Sequence, residues 1–231
     1  FSPEDVWIRD YGPTFVINKE AEKPLAMVIW TFNAWGDKYD DLIRDREIPY
    51  KMIEVMDVKT FKTGINMEGG SFDVNGKGVV LTTEQCLLNK NRNPTYTKEG
   101  LEKVLCDYLN LEKVIWLKEG VLGDDTDGHI DDVARFVSPD TIVCAYEDNV
   151  DDPNHPIHDE NYKLLLEEKN LDGKPFRVVK IPMPDPVKDE EDTYLPASYI
   201  NYYIANEVVV VPTFGCEKDD MALSILQKEF P

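Results

Sequence analysis

Residues 79–117 read VVLTTEQCLLNKNRNPTYTKEGLEKVLCDYLNLEKVIWL, and their pattern decides the fold class. VVLTT at 79–83 is a short apolar run rich in β-branched side chains, the composition of a buried strand. TKEGLEKVLCDYL at 97–109 spaces Leu101, Val104, Leu105, Tyr108 and Leu109 so that they line one face of a helix. KVIWL at 113–117 returns to strand character. Strand, helix, strand is the unit of an α/β protein.

The same order recurs outward from this stretch. TIVCAY at 141–146 precedes a helical NYKLLLEEKN at 161–170 and a strand-like FRVVKI at 176–181. It starts again with EVVVVPTF at 207–214 and the helical DDMALSILQKEF at 219–230. Similar modules sharing one core are expected. Between them, PDPVKDEED at 184–192 is too rich in proline and acid for a packed element and reads as a loop. The chain opens on Phe1 and stops at Pro231, where a returning strand is due, so it reads as a piece cut at both ends.

The totals narrow the function. With 231 residues and 42% hydrophobic content the chain can bury a core, as one large domain or two small ones. Its apolar runs fall far short of the ~20 residues of a membrane helix, and no charged-then-apolar leader opens it. Four scattered cysteines (Cys86, Cys106, Cys144, Cys216), without a CxxC pair, fit a reduced cytoplasmic setting. With 45 acidic against 25 basic residues, the surface repels nucleic acid and anionic lipid and favours a cationic ligand.

That acid is concentrated at 124–133, DDTDGHIDDV, around one of three histidines. The expectation is a turn relieved by Gly128 and then a strand, on which His129 and Asp131 project to the same side. A carboxylate beside an imidazole favours its charged form and fixes its orientation, which suits proton transfer near neutral pH. A calcium loop does not fit: with Gly128 at position six, Gly123 stands at position one and Ala134 at twelve. Zinc is the weaker reading, because His155 and His158 fall in a polar DDPNHPIHDE loop with no adjacent glutamate base. An acidic surface turn that happens to contain a histidine is the bland alternative. Singly unremarkable are DVWIRDYGP (5–13), a strand ending in a Gly-Pro turn; EGGS (68–71), whose glycines allow close backbone approach; and NKNRNP (89–94), a polar loop with an exposed-looking Arg92.

Taken in order, WIRDYGPTF (7–15), FNAWGDKY (32–39), EGGSFDVNGKG (68–78), LTTEQCLLNKNRNP (81–94), DDTDGHIDD (124–132) and PASYINYYIAN (196–206) resemble the agmatine deiminase family, relatives of peptidyl-arginine deiminase within the guanidine-modifying superfamily. The resemblance implies a pentein-type α/β propeller of pseudo-symmetric ββαβ modules around an acidic pocket. It also implies hydrolysis of a guanidinium to a ureido group and ammonia with no metal or organic cofactor. Residues 1–231 are then one incomplete catalytic domain lacking the module that carries the nucleophile. By motif position, Asp10 and Asp131 match guanidinium-binding aspartates and His129 the general acid and base. Trp7 matches a pocket wall and Asn201 a polar residue of the site. Glu68 resembles a glutamate that supports the histidine, and Asp125 the position that meets the far amine of agmatine. The family's Gly-Gly-x-His-Cys nucleophile motif does not occur in the sequence, and none of the four cysteines fits it. Three readings follow: an agmatine deiminase feeding putrescine formation, favoured by Asp124 and Asp125; a peptidyl-arginine deiminase; or an inactive guanidinium- or polyamine-binding module. The expected partner is a small cationic guanidino compound, with no nucleic acid or membrane, and with self-association as in family members.

Overall fold

The computed structural model describes residues 2–230, which divide into two compact units. Of the described residues, one comprises 2–71 and 87–111, the other 72–86 and 112–230.

The strands fall into a repeated pattern. Thr14–Ile17 (β1) runs antiparallel to Leu25–Thr31 (β2), which pairs in parallel with Lys59–Asn66 (β3). Phe72–Val74 (β4), Val79–Thr83 (β5) and Lys113–Leu117 (β6) repeat that order, as do Ala134–Ser138 (β7), Thr141–Tyr146 (β8) and Arg177–Pro182 (β9). Tyr203–Ala205 (β10) and Val208–Val210 (β11) form an antiparallel hairpin followed by the Lys218–Glu229 helix. In each three-stranded sheet a helix lies in sequence between the central strand and its parallel neighbour, the crossover that a parallel pair requires. The modules are therefore ββαβ. That is the module the family resemblance implied; the reading from periodicity alone, strand, helix, strand, lacked the outer antiparallel strand of each and the module at 14–66.

In the first unit the β1–β2–β3 sheet is accompanied by the Ile48–Val55 and Lys98–Leu109 helices. The second of these begins where Thr97 Oγ1 accepts the Gly100 N–H at 3.1 Å and ends at Asn110 in a left-handed cap. Leu101 and Leu105 are its buried residues. A small aromatic core joins Tyr11, Phe32 and Trp35 to Ile48.

The second unit holds the larger core. Strands β5 and β8 are buried at every position, as expected of central strands covered on both faces. Val79, Leu81, Ile115, Ile130, Val143, Leu165, Ile181 and Leu226 belong to one apolar cluster.

Two element boundaries differ from the sequence reading. The helix expected at 161–170 spans His155–Glu167: Pro156 lies in its first turn, where a missing N–H costs nothing, so a loop-like composition opens a helix. The expected strand at 207–214 shortens to β11, with Pro212 unable to donate to a ladder. Among the described residues no helix is long and apolar enough to cross a membrane.

Candidate active site

In the first unit, DVWIRDYGP forms not a strand but the single helical turn Ile8–Tyr11, closed by the Gly12 N–H on the Ile8 carbonyl. This turn presents Asp10, which is buried. Asp10 Oδ2 accepts the Trp35 Nε1–H at 2.9 Å and Oδ1 accepts the Gly70 N–H at 2.9 Å. Two fixed donors orient the carboxylate. The glycine beside Gly70 is also required by geometry, because a Cβ on Gly69 would lie 1.8 Å from the Arg9 carbonyl oxygen. Trp7, expected as a pocket wall, is more than half exposed.

Trp35 is the aromatic that meets Asp10, and its backbone is unusual. Ala34, Trp35, Gly36 and Asp37 all have positive φ, a left-handed turn costly for the three residues with a side chain. Asn33 braces it, accepting the Gly36 N–H and donating to the Asn91 carbonyl. The Trp35 ring packs edge-on against Phe32 and Tyr39.

Glu68, next to the Gly69–Ser71 turn, is completely buried, and its Oε1 accepts from Arg92 Nε at 2.6 Å. Arg92 is not the exposed loop residue its polar surroundings suggested: it is 1% exposed. Asn66 and Asn93 tie the same loop down, Asn66 Nδ2 donating to the Arg92 carbonyl and Asn93 Nδ2 to the Asn66 carbonyl.

In the second unit, His129 does not begin a strand. It precedes a one-turn 3-10 helix, Ile130–Asp132, and β7 starts only at Ala134. Ile130 and Val133 are fully buried, so the turn is anchored in the core on both sides of the acids. His129 Nδ1 lies 4.0 Å from Asp131 Oδ1, so the expected pairing occurs, through a tight turn and not through strand alternation. His129 is 3% exposed.

Asp124 builds the approach to this turn. Its Oδ2 accepts the N–H groups of Gly128 and His129, and its Oδ1 accepts the N–H and hydroxyl of Thr126. Sequence reading counted Asp124 among acids facing a ligand amine; its oxygens are engaged by the loop itself. Asp125 beside it is exposed. Gly128, at φ +85°, is packed so closely that an added Cβ would stand 2.4 Å from Gln85 Oε1. Gln85 Oε1 accepts the Gly120 N–H, and Thr83 Oγ1 donates to the Gly128 carbonyl at 2.6 Å.

Asn201 is exposed and donates to Asp132 Oδ1 at 3.1 Å. Asp132 was singled out by no motif argument, since it reads as one more acid in an acidic run. Burial lifts its carboxyl well above the ordinary range, and the like charges of Asp131 and Asp124 add to this; the Asn201 bond and His129 act the other way.

Within their own units, then, Asp10 and Glu68 flank the Gly69–Ser71 turn, while His129, Asp131 and Asn201 gather around the Ile130–Asp132 turn. The HxxH pair does not form a ligand set: His155 Nδ1 is bonded to the Glu147 carbonyl and His158 is fully buried in the same helix. Cys86 is buried, and burial pushes the Cys144 thiol up to about 12, both consistent with small core residues. Cys216 is only half-buried, with its Sγ 3.3 Å from the Tyr199 hydroxyl.

Known proteins resemble this chain in sequence and in fold. The Porphyromonas-type peptidyl-arginine deiminase family matches residues 1–231. A Legionella pneumophila (strain Paris) relative, provisionally named agmatine deiminase, is 41% identical over 228 residues, covering 98% of this chain and 65% of its own. The agmatine deiminase of Medicago truncatula is 39% identical over 259 residues, covering 100% of this chain and 69% of its own. The solved agmatine deiminase of Enterococcus faecalis superposes with a TM-score of 0.90 at 39% identity, covering 100% of this chain and 68% of that one. The chain thus spans about two thirds of the length of these relatives. Matched along its whole length, it belongs to the Porphyromonas-type peptidyl-arginine deiminase family and has the mixed α/β fold of its solved members.

Proposed function

We propose that these residues provide the guanidinium-binding and proton-transferring part of an agmatine deiminase, which hydrolyses agmatine to N-carbamoylputrescine and ammonia. The observation that carries the reading is the buried His129 ring held 4.0 Å from Asp131 by a turn that Asp124 organises. The relatives that bear the name agmatine deiminase support it.

Asp10, in the first unit, and Asp131, in the second, each carry a carboxylate suited to the N–H groups of a planar guanidinium, with its delocalised charge and fork of donors. A thiolate attacks the guanidinium carbon and His129 gives a proton to the departing ammonia. His129 then takes a proton from the water that attacks the thiouronium carbon, releasing the ureido product and regenerating the thiolate. The thiolate is assigned to none of the chain's four cysteines. Asp125, exposed beside Asp124, receives the far ammonium of agmatine. In this reading the protein works in the cytoplasm in putrescine formation.

The rival reading, deimination of arginine within a peptide, takes its support from the family name. Titration calorimetry of the 231-residue chain with agmatine and with N-acetylarginine amide decides between them. Tighter binding of agmatine, lost in Asp10→Asn, is expected; equal or tighter binding of the blocked arginine would overturn the proposal. Ammonia release by the chain alone would show that one of its own cysteines is the nucleophile.

A further inference from the structure

The turn that carries His129 is tied to a distant segment through a single residue. Asp132 Oδ1 accepts from Asn201 Nδ2 at 3.1 Å, and the Asp132 main-chain carbonyl accepts the Ser198 hydroxyl at 2.7 Å. Ser198 Oγ in turn accepts the Ile200 N–H at 3.2 Å, and the Asn201 N–H reaches the Ser198 carbonyl. The Ser198–Asn201 segment, a strap, is therefore folded on itself where it meets the turn. Ser198, Tyr199 and Ile200 are buried, so the strap is fixed in the core and cannot follow a drifting turn. The turn itself is short: the Val133 N–H closes it on the Ile130 carbonyl, and Asp131 lies between these ends.

We propose that Asp132 is a positioning residue, which locks the Ile130–Asp132 turn to the Ser198–Asn201 strap so that Asp131 stays beside the His129 ring. Asn201, matched by motif to a polar residue of the site, then acts on His129 through Asp132. The acids around the turn give the lock a reason. Asp124, Asp131 and Asp132 crowd three carboxyl groups around one short turn, and wherever two of them are ionised together they push apart unless restrained. Asp124 is restrained by four bonds from its own loop and Asp132 by the strap, which leaves Asp131 held between two fixed neighbours. The role of His129 as acid and base rests on the deiminase reading; its pairing with Asp131 does not.

The experiment reads the His129 ring directly, without ligand. In the chain labelled with 15N-histidine, the pH midpoint of His129 is followed by its ring nitrogen shifts in the parent, Asn201→Ala, Asp132→Ala and Asp132→Asn. Asn201→Ala changes a neutral, exposed residue whose side chain donates to Asp132, so it removes the strap without removing a charge. A downward shift of about half a unit or more is expected in Asn201→Ala and Asp132→Ala, as the carboxylate that favours the imidazolium drifts away. Asp132→Asn removes the same carboxyl charge but keeps an oxygen to accept from Asn201, so the part of the Asp132→Ala shift that exceeds it reads the loss of the lock. Unmoved midpoints in Asn201→Ala and Asp132→Ala, even with a lowered melting temperature, would overturn the proposal; should Asp132→Ala fail to fold, Asn201→Ala decides alone. Agmatine titration of the parent tests the deiminase reading separately, because failure to bind leaves the ring measurement intact.

Discussion

Arg92 Nε lies 2.6 Å from Glu68 Oε1, with both side chains shut off from solvent. An ion pair this dry gains stability only while both partners stay, because a lone charge left there has neither water nor a counter-ion. Arg92→Met should therefore destabilise the chain by about 3–5 kcal/mol, and the double change Arg92→Met, Glu68→Met should recover much of that loss. Urea unfolding of the two variants and the parent checks this. A single variant within about 1 kcal/mol of the parent would show that the pair contributes little.

Asp124 and Asp125 should separate cleanly although they are adjacent. Asp124→Asn puts an NH2 group against donors that now find an oxygen, and should cost about 1–3 kcal/mol in unfolding experiments. Asp125→Asn, at an exposed position, should leave stability within about 0.5 kcal/mol while weakening agmatine binding several-fold. Were the pattern reversed, the assignment of the two acids would have to be exchanged.

Gly128→Ala should destabilise by at least about 1 kcal/mol, since it combines a left-handed φ with a clash against Gln85 Oε1 and the Gly120 N–H. Circular dichroism melting is sufficient to see it. Shortening the neighbour, in Gln85→Ala with Gly128→Ala, relieves the contact but not the backbone strain, so only part of the loss should return.

His158 sets a pH dependence whose sign is fixed by its surroundings. Neither ring nitrogen has a hydrogen-bond partner among the described residues, and burial pushes its pKa down from 6.5 to about 4. The folded chain holds the ring neutral, whereas the unfolded chain protonates it below 6.5. Its contribution is thus intact above 6.5 and fades as pH falls from there to about 4, by about 3 kcal/mol in all. His158→Gln should flatten stability across that interval, measured by urea unfolding at pH 7, 5.5 and 4.5. An unchanged slope would mean that other groups dominate.

What could be read from the letters alone follows from where packing repeats itself. VVLTT and TIVCAY announce β5 and β8 because strands covered on both faces are apolar throughout, and Thr97 and Asn110 bracket a helix whose period is plain. The outer strands β4 and β10 are three residues long, too short to alternate visibly. Asp10, His129 and Asp131 stood out through their motifs. Arg92 and Asp132 did not, because a buried charge and a solvated one are spelled alike and differ only in what tertiary structure places beside them. Trp35 was hidden for another reason: nothing in AWGD signals that its backbone turns left-handed.

That backbone sets a limit on improving the protein. Ala34, Trp35 and Asp37 hold a conformation that costs each of them on the order of 1–2 kcal/mol, and Trp35 uses it to reach Asp10. A laboratory selection for heat resistance alone would find glycine or asparagine at the exposed Asp37 among its easiest gains, whereas Ala34 and Trp35 sit in the aromatic core and would lose more packing than the relieved strain returns. Heat-selected variants would therefore keep the tryptophan, and with it the indole N–H that fixes the Asp10 carboxylate.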